Sequence, residues 1–520
     1  MKSLNKHLLL FISLALIYLL IAFYVCSLWP KTSDQASYFL AGMDFLHGNW
    51  RLKNWVLTPP DFWTSDIPLS AFLGAVWHLA GHPSASPVLL MLQPAILWTG
   101  LICSAFYLVF QRLKNTKHKT GAVLILLCAL AFPLMHAPMA YFITLSAIHI
   151  GSLIYGLWAI HHTDRFLKDH QHKSLLFAAI LLCLGSIGDP LFVITTGGAV
   201  LLFSIISKYS PLYLRVQLVF AAILSILTAK IILWTNIHTG GFHTEILETR
   251  FATWDQLNTN LSISLRCILL VFGADPSGHS LSSSTPELLR LILTLFIIIA
   301  LFSAVKITRK HKQHNDTFCV LLGLTALLNF VALTVSNRIA LDGNPIAVAR
   351  YLFPLWVSTS CIAALYWNHN RKIAFLAGIA LFSTLWADIR DLPAHSTGIL
   401  TTEDNQLLSR LEKDAPSFGI GSWWSSVNLE VASLGKVHIY PGMQQSDGSI
   451  MPFVHIRKNM DWASLKGQNF FVLIPHPTET FTEKAALKTF GAPTQTIIEG
   501  RYTILIYRTD HLFVGHPDRT

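Results

Sequence analysis

From Leu8 to Trp29 the chain runs 22 residues without one charged side chain, and apolar runs of this kind recur up to residue 387. A hydrocarbon core of about 30 Å needs about 20 apolar residues in a helix. Backbone in lipid has no water to bond, so each run must satisfy its own N–H and C=O groups, which a helix does. Ten further runs qualify as candidates: 88–110, 121–136, 138–160, 174–187, 191–207, 213–235, 287–306, 318–336, 350–366 and 373–387. Only 13% of the residues are charged and the mean hydropathy is +0.50, against roughly 25% charged in soluble domains. That composition excludes both a soluble globular chain and a disordered one. The first run is longer than a signal-peptide core and ends in Ser27-Leu28-Trp29-Pro30 rather than at a small-residue cleavage site, so it reads as an uncleaved span. The expected fold class is a polytopic α-helical membrane protein with about eleven transmembrane helices.

The basic residues fix the expected orientation. The segment 67–80 is apolar but only 14 residues long, about 21 Å of helix and too short to cross. With 67–80 laid along the outer surface, 17 Lys and Arg fall in cytoplasmic segments and 7 in outer loops before residue 388. The positive-inside rule selects that register, with the N-terminus cytoplasmic and the C-terminus outside. The stretch 256–273 is a second candidate for a surface-lying helix. The net charge of +10 is thereby accounted for by contacts to anionic lipid headgroups, and no nucleic-acid partner is expected. The seven cysteines are scattered with no CxxC spacing, which gives neither a zinc site nor a disulfide framework. No cofactor is expected; a divalent metal is compatible with the chain but no motif supports one.

After residue 387 the pattern changes. Thr401-Thr402-Glu403-Asp404 before Leu407, Leu408 and Leu411 has the form of a capped amphipathic helix. Residues 436–440, 470–474, 496–498 and 502–507 read as strands. The division expected is therefore 1–387 as a membrane domain with outer loops 30–66, 236–286 and 337–349, and 388–520 as an outer α/β domain.

The spans hold no Asp or Glu near their middles, which counts against ion-coupled transport. Acidic residues gather instead in the first outer loop, at Asp34, Asp44, Asp61 and Asp66. Asp34 follows the first span directly, at headgroup height. It reads either as a helix cap or as a general base meeting a lipid-borne substrate. Asp66 reads as a cap of the 67–80 helix or as a second acceptor-side carboxylate. Asp189, in Gly188-Asp189-Pro190, reads as a turn residue, and His136 and His149 as structural histidines.

A first span, then Asp34 before an aromatic-containing helix with Gly48-Asn49-Trp50, then Asp66-Ile67-Pro68-Leu69 leading to an interfacial helix, resembles the GT-C glycosyltransferases. Ala349-Arg350-Tyr351-Leu352-Phe353-Pro354 is similar to the Arg-Tyr-x-x-Pro pattern that often opens a late span in them. The resemblance is to the kind that transfers mannose or aminoarabinose from polyprenyl-phosphate carriers. Many relatives have Asp-Glu where this chain has Asp34-Gln35. The resemblance implies a GT-C-like catalytic membrane domain, and the absence of eukaryotic targeting features gives the expectation of a bacterial inner membrane. Its donor would be a polyprenyl-phosphate-linked sugar and its acceptor a glycan, lipid or protein, with membrane lipids as partners. Asp34, with Asp66, would be catalytic, and Arg338, Arg350, Tyr351, Arg51 and Lys53 would meet the lipid phosphate. Two other readings stand beside it: an envelope-polysaccharide polymerase, ligase or flippase, and a catalytically silent relative that binds glycan.

Overall fold

The computed structural model describes residues 2–113, 119–207, 210–245, 248–280, 284–307, 316–342, 344–391, 398–459, 462 and 468–508. Lys114, Lys117, Lys208, Arg309, Lys310 and Lys312, counted above as cytoplasmic, lie outside them. Helix α1 (Lys2–Ser27) carries the first apolar run and leaves Leu10, Leu14, Ile17 and Leu20 exposed, a face stable only against lipid. It is followed by α2 (Ser33–Leu46), strand β1 (Trp55–Leu57), α3 (Asp66–Leu79) and α4 (Pro87–Arg112). Next come α5 (Lys119–Leu126) with a π-helical turn Leu127–Ala131, α6 (Pro138–Ile143), α7 (Ile150–Asp169) and α8 (His172–Gly188). Short α9 (Pro190–Phe192) passes through a π-helical turn Val193–Gly197 into α10 (Gly198–Ile206), before α11 (Leu212–His238), β2 (His243–Thr244) and α12 (Trp254–Val271). The helical part closes with α13 (Thr285–Ile307), α14 (Asp316–Val335), α15 (Arg338–Asp342), α16 (Pro345–Val348), α17 (Phe353–Trp367) and α18 (Arg371–Asp391).

Among the described residues seven helical segments are long and apolar enough to cross a bilayer: in α1, α4, α11, α13, α14, α16–α17 and α18. Lys119–Ala131, α8 and Pro190–Ile206 are shorter apolar helices. The chain is a multi-pass membrane protein. Helix α18 runs to Asp391, a little past the domain edge expected at residue 387. One expectation is corrected: 138–160 is not a continuous span. Helix α6 stops at Ile143, residues 144–149 are irregular with Ala147 and His149 at φ 58° and 53°, and α7 starts afresh at Ile150. The reason is that Lys31, Gln35, Asp66 and Asp189 supply polar partners to this stretch, a compensation invisible to apolar counting.

Past α18 lie α19 (Thr402–Asp414), β3 (Phe418–Gly421), α20 (Trp423–Ala432), β4 (His438–Gln444), β5 (Ile450–Pro452) and β6 (Arg457–Lys458). The last elements are β7 (Phe470–Pro475), α21 (Glu483–Phe490), β8 (Gln495–Glu499) and β9 (Tyr502–Tyr507). A six-stranded sheet has the order β5-β4-β3-β7-β9-β8, parallel at β4–β3–β7 and antiparallel at both edges. Its central strand β7 is buried at every residue, as expected where both faces are covered. Thr401 and Thr482 cap α19 and α21 by accepting the Asp404 and Ala485 N–H groups.

This α/β domain is docked onto the first loop. Strand β1 pairs with β2 on one side and β6 on the other, in the registers Val56 with His243 and Trp55 with Lys458. One hydrophobic core combines Phe39, Leu57 and Ile67 with Trp423, Val427 and Leu473. Residues 30–66 and the α/β domain therefore share one side of the membrane, which requires an even number of crossings between them. Six such crossings, the number given by the long helices after α1, satisfy that parity, and so do ten if α5, α7, α8 and α9–α10 also cross.

Helix α3 lies against α2 with Phe72 and Leu79 exposed, the character of an interfacial helix. The two helices touch at Gly42, where an added Cβ would collide with Ser70 Cβ and sit 3.0 Å from the Ile67 carbonyl oxygen. Gly42→Val should therefore push α2 off α3, at about 1–3 kcal/mol for overpacking. Thermal unfolding of the detergent-solubilised protein should show a lowered Tm. Ser70→Gly, which removes one of the clashing atoms, should restore part of it to Gly42→Val.

Candidate functional site

Asp34 is the second residue of α2, and it does not cap that helix. Thr32 is the cap, and Gln35 closes a capping box with it, its Oε1 accepting the Thr32 N–H at 3.1 Å, while its Nε2 donates to the Thr144 carbonyl at 3.4 Å. A carboxylate could accept from Thr32 but has no proton to give Thr144. Gln35 in place of Glu thus has a structural use here.

No described residue hydrogen-bonds or pairs with the Asp34 carboxyl. Burial raises its pKa above the ordinary carboxylate range; the charges of His455 and Arg350 pull it back, and Glu245 pushes it up. The first turn of α2 adds the positive end of a helix dipole. The ring of His455 donates or accepts through Nδ1 with Glu245 Oε1 and stands edge-on to Trp423, ring centroids 4.7 Å apart. Asp34 is also held from above: Ser33 Oγ donates to the Trp424 carbonyl at 2.8 Å.

Arg350, in the 3-10 turn Ala349–Leu352 that leads into α17, is partly exposed. Its Nη2 donates to the Tyr351 hydroxyl at 3.2 Å, and its guanidinium lies 5.0 Å from that ring's centre. The Tyr351 ring in turn lies 5.8 Å from that of His149. The structure thus brings Asp34, Arg350 and Tyr351 into one region. Arg338 opens α15 and is not among the charges acting most strongly on Asp34. Arg51 binds the end of α11, donating to the Asn236 and Thr239 carbonyls at 3.2 and 2.7 Å, and Lys53 is exposed.

Asp66 is buried, accepting from Ala147 N–H at 2.7 Å and Ser65 Oγ at 3.0 Å. It fastens the irregular 144–149 stretch to α3 rather than capping α3, and burial raises its pKa. Asp44 accepts from Asn49 Nδ2 at 2.6 Å, Trp55 Nε1 at 2.8 Å and Lys458 Nζ at 3.2 Å. Burial pushes its pKa up, but these donors outweigh it and hold the pKa low. Lys31 is buried and donates to the Cys26 and Thr144 carbonyls at 2.6 and 3.1 Å; burial lowers its pKa to about 8.

Beside these residues an apolar cavity of ≈ 160 Å³ opens between α1, the end of the Leu127–Ala131 turn, α6 and α18. Tyr18, Ala22, Phe132 and Ile389 line it, and it reaches Cys26 and Thr144, the two residues whose carbonyls hold Lys31. The sequence reading passed over Glu245 and His455, which carry no local motif. It also passed over the His149–Asp189 pair, joined through Nδ1 at 2.7 Å. The Gly188-Asp189-Pro190 turn was visible, but its partner was not. Around Asp34 no three metal-ligating groups converge among the described residues.

No family model and no curated protein matches the chain. Among solved structures it is similar to ArnT from Cupriavidus metallidurans in the apo state, at 11% identity and a TM-score of 0.45 over 97% of this chain and 98% of that one. It is also similar to the same protein bound to undecaprenyl phosphate, at 11% identity and a TM-score of 0.43 over 96% and 98%.

Asp61 yields a pH prediction. Its Oδ1 accepts the Trp63 N–H at 2.9 Å, and burial raises its pKa to about 7, with Asp189 adding to the rise. The unfolded chain loses this proton near pH 4, the folded chain only near pH 7, so stability falls as pH rises through that window. The span amounts to about 4 kcal/mol at most. Asp61→Asn keeps an acceptor for Trp63 and removes the titration. Between pH 5 and pH 8 its Tm in detergent should fall less than that of the wild type.

Proposed function

We propose that the protein is an inverting membrane glycosyltransferase of the GT-C kind, moving a sugar from a polyprenyl phosphate to a glycan, lipid or protein hydroxyl at the outer face. The observation that carries this reading is Asp34: a carboxyl without a hydrogen-bond partner among the described residues, raised in pKa, with Arg350 and His455 acting on it; an apolar cavity lined by lipid-facing helices reaches Thr144, to which its neighbour Gln35 donates. In the proposed reaction Asp34 takes the acceptor's hydroxyl proton as that oxygen attacks the anomeric carbon. The bond from that carbon to the phosphate oxygen breaks, and the phosphate keeps the electron pair. A phosphate leaves without needing a strong general acid, so one base and one cation suffice. Arg350 meets the departing phosphate with its fork of donors, and Tyr351 steadies the guanidinium. The apolar cavity takes the first part of the prenyl chain. Asp66, committed to Ala147 and Ser65, supports the floor of the site; Arg51 serves the end of α11; Lys53 and Arg338 are left as outlying cations that could attract the phosphate.

Asp34→Asn keeps size and removes the base, and general-base catalysis typically contributes about 10²–10⁴-fold. Membranes given a labelled polyprenyl-phosphate sugar should transfer at least about a hundredfold less label per mole of this variant than of wild type. Its Tm should stay near wild type, since no hydrogen bond is lost. Arg350→Lys keeps charge but loses the fork, and should raise the KM for donor more than that for acceptor. Wild-type turnover by Asp34→Asn would overturn the reading in favour of a silent glycan-binding relative or a polymerase, ligase or flippase. The same reading places the α/β domain outside the cell's inner membrane, so alkaline phosphatase fused at the C-terminus should be active and a green fluorescent protein fusion there dark.

A further inference from the structure

A second cluster of side chains lies at the junction of three segments. His136 follows the Leu127–Ala131 turn, His279 lies in the loop between α12 and α13, and Glu287 stands in the first turn of α13. One ligand atom from each lies within 4.8 Å of the other two. His136 Nε2 contacts Glu287 Oε1 at 2.6 Å, and the two imidazole rings are 5.5 Å apart. Glu287 is 2% exposed, yet its Oε2 has no hydrogen-bond partner among the described residues. A buried carboxylate oxygen left unsatisfied is costly, and here it points to something that completes it.

The surroundings hold the three groups in place. Arg290, one turn along α13, donates to the Phe272 carbonyl at 2.9 Å, to Thr384 Oγ1 at 2.9 Å and to the Phe132 carbonyl. It thereby pins the end of α12 and the stretch before His136 onto α13. Asp388 Oδ1 accepts the Met135 N–H at 2.8 Å, next to His136. Gly273, at φ +61°, packs so closely that an added Cβ would lie 3.3 Å from Leu134 Cβ. Asp388 and Asp391 both lie within electrostatic reach of His136. Asp391 is itself paired with Arg390 through both carboxylate oxygens, so Glu287 and Asp388 are the acids near His136 that a bound cation would neutralise.

We propose that His136, His279 and Glu287 form a site for a first-row divalent cation of the zinc class. Two imidazoles and a carboxylate leave a fourth, open position for water, a set that suits Zn²⁺. On binding, the cation replaces the hydrogen bond between His136 Nε2 and Glu287 Oε1, that proton passing to solvent, and gives the orphaned Oε2 a positive neighbour. It ties the loop carrying His279 to α13 and to the chain before α6. This site is separate from Asp34 and does not depend on the transfer reaction.

The test uses the full-length protein without a histidine tag, purified in detergent, stripped with a chelator, loaded with Zn²⁺ and dialysed into metal-free buffer. Elemental analysis should find about one zinc per chain in the wild type. His279→Ala, on an exposed loop, and Glu287→Gln, which keeps shape, should retain at least tenfold less, since even outer-shell losses cost about 10–100-fold in affinity. His82→Ala, an exposed histidine elsewhere, should retain as much as wild type. Zinc should raise the Tm of the wild type and not of His279→Ala. Equal zinc retention in wild type and His279→Ala, whether high or nil, would overturn the proposal.

Discussion

Six residues of non-helical backbone, 144–149, have to be satisfied inside a helical bundle, and much of the candidate site is arranged by how that is done. Irregular backbone at membrane depth is tolerated only where protein supplies its partners. Lys31 and Gln35 both donate to the Thr144 carbonyl, and Asp66 accepts from Ala147. His149, at the far end, is fixed by Asp189. Each of these partners sits beside something else of consequence: Gln35 beside Asp34, Asp66 at the start of the interfacial helix, His149 against the ring of Tyr351 next to Arg350. A stretch that interrupts a helix thus sets the spacing between a carboxylate and a guanidinium on distant segments.

The second constraint is the docking of the α/β domain. All three charges acting on Asp34, those of His455, Arg350 and Glu245, come from outside the first loop, and His455 comes from the α/β domain. His455 is brought there by the β1–β6 pairing and by α20 packing over α2. With it, Asp34 is recessed, and its carboxyl is held above the ordinary range by burial.

What could be read from sequence follows from how local each cause is. The first span and the short helix α3 were legible as helices because length and apolar content are local quantities. Asp34 stood out because it falls one loop-width from a membrane boundary. Asp44 and Asp66 lie in the same acidic loop. Only the three donors on Asp44 and the Ala147 N–H on Asp66 separate them. The break after Ile143 was illegible for the same reason: Thr144 and His149 are too few to lower the apolar count, and their partners Lys31, Gln35 and Asp189 lie between α1 and α2, on α2 and just past α8. The contact of Ser33 with Trp424 spans 391 positions, a separation at which one sequence carries no signal.

The small sheet β2-β1-β6 also sets an order of events during biosynthesis. Its middle strand is made first, its first neighbour about halfway through the chain, and its second only near the end. A nascent chain stopped before residue 457 carries β1 with one edge bare, and a bare edge is an invitation to pair with the wrong strand. The early-made carboxylate at Asp34 likewise waits for His455 to reach it. Completion of the outer surface, and of the electrostatics around Asp34, is therefore a late step that reports the arrival of the last domain, so a truncated product is left structurally marked as unfinished.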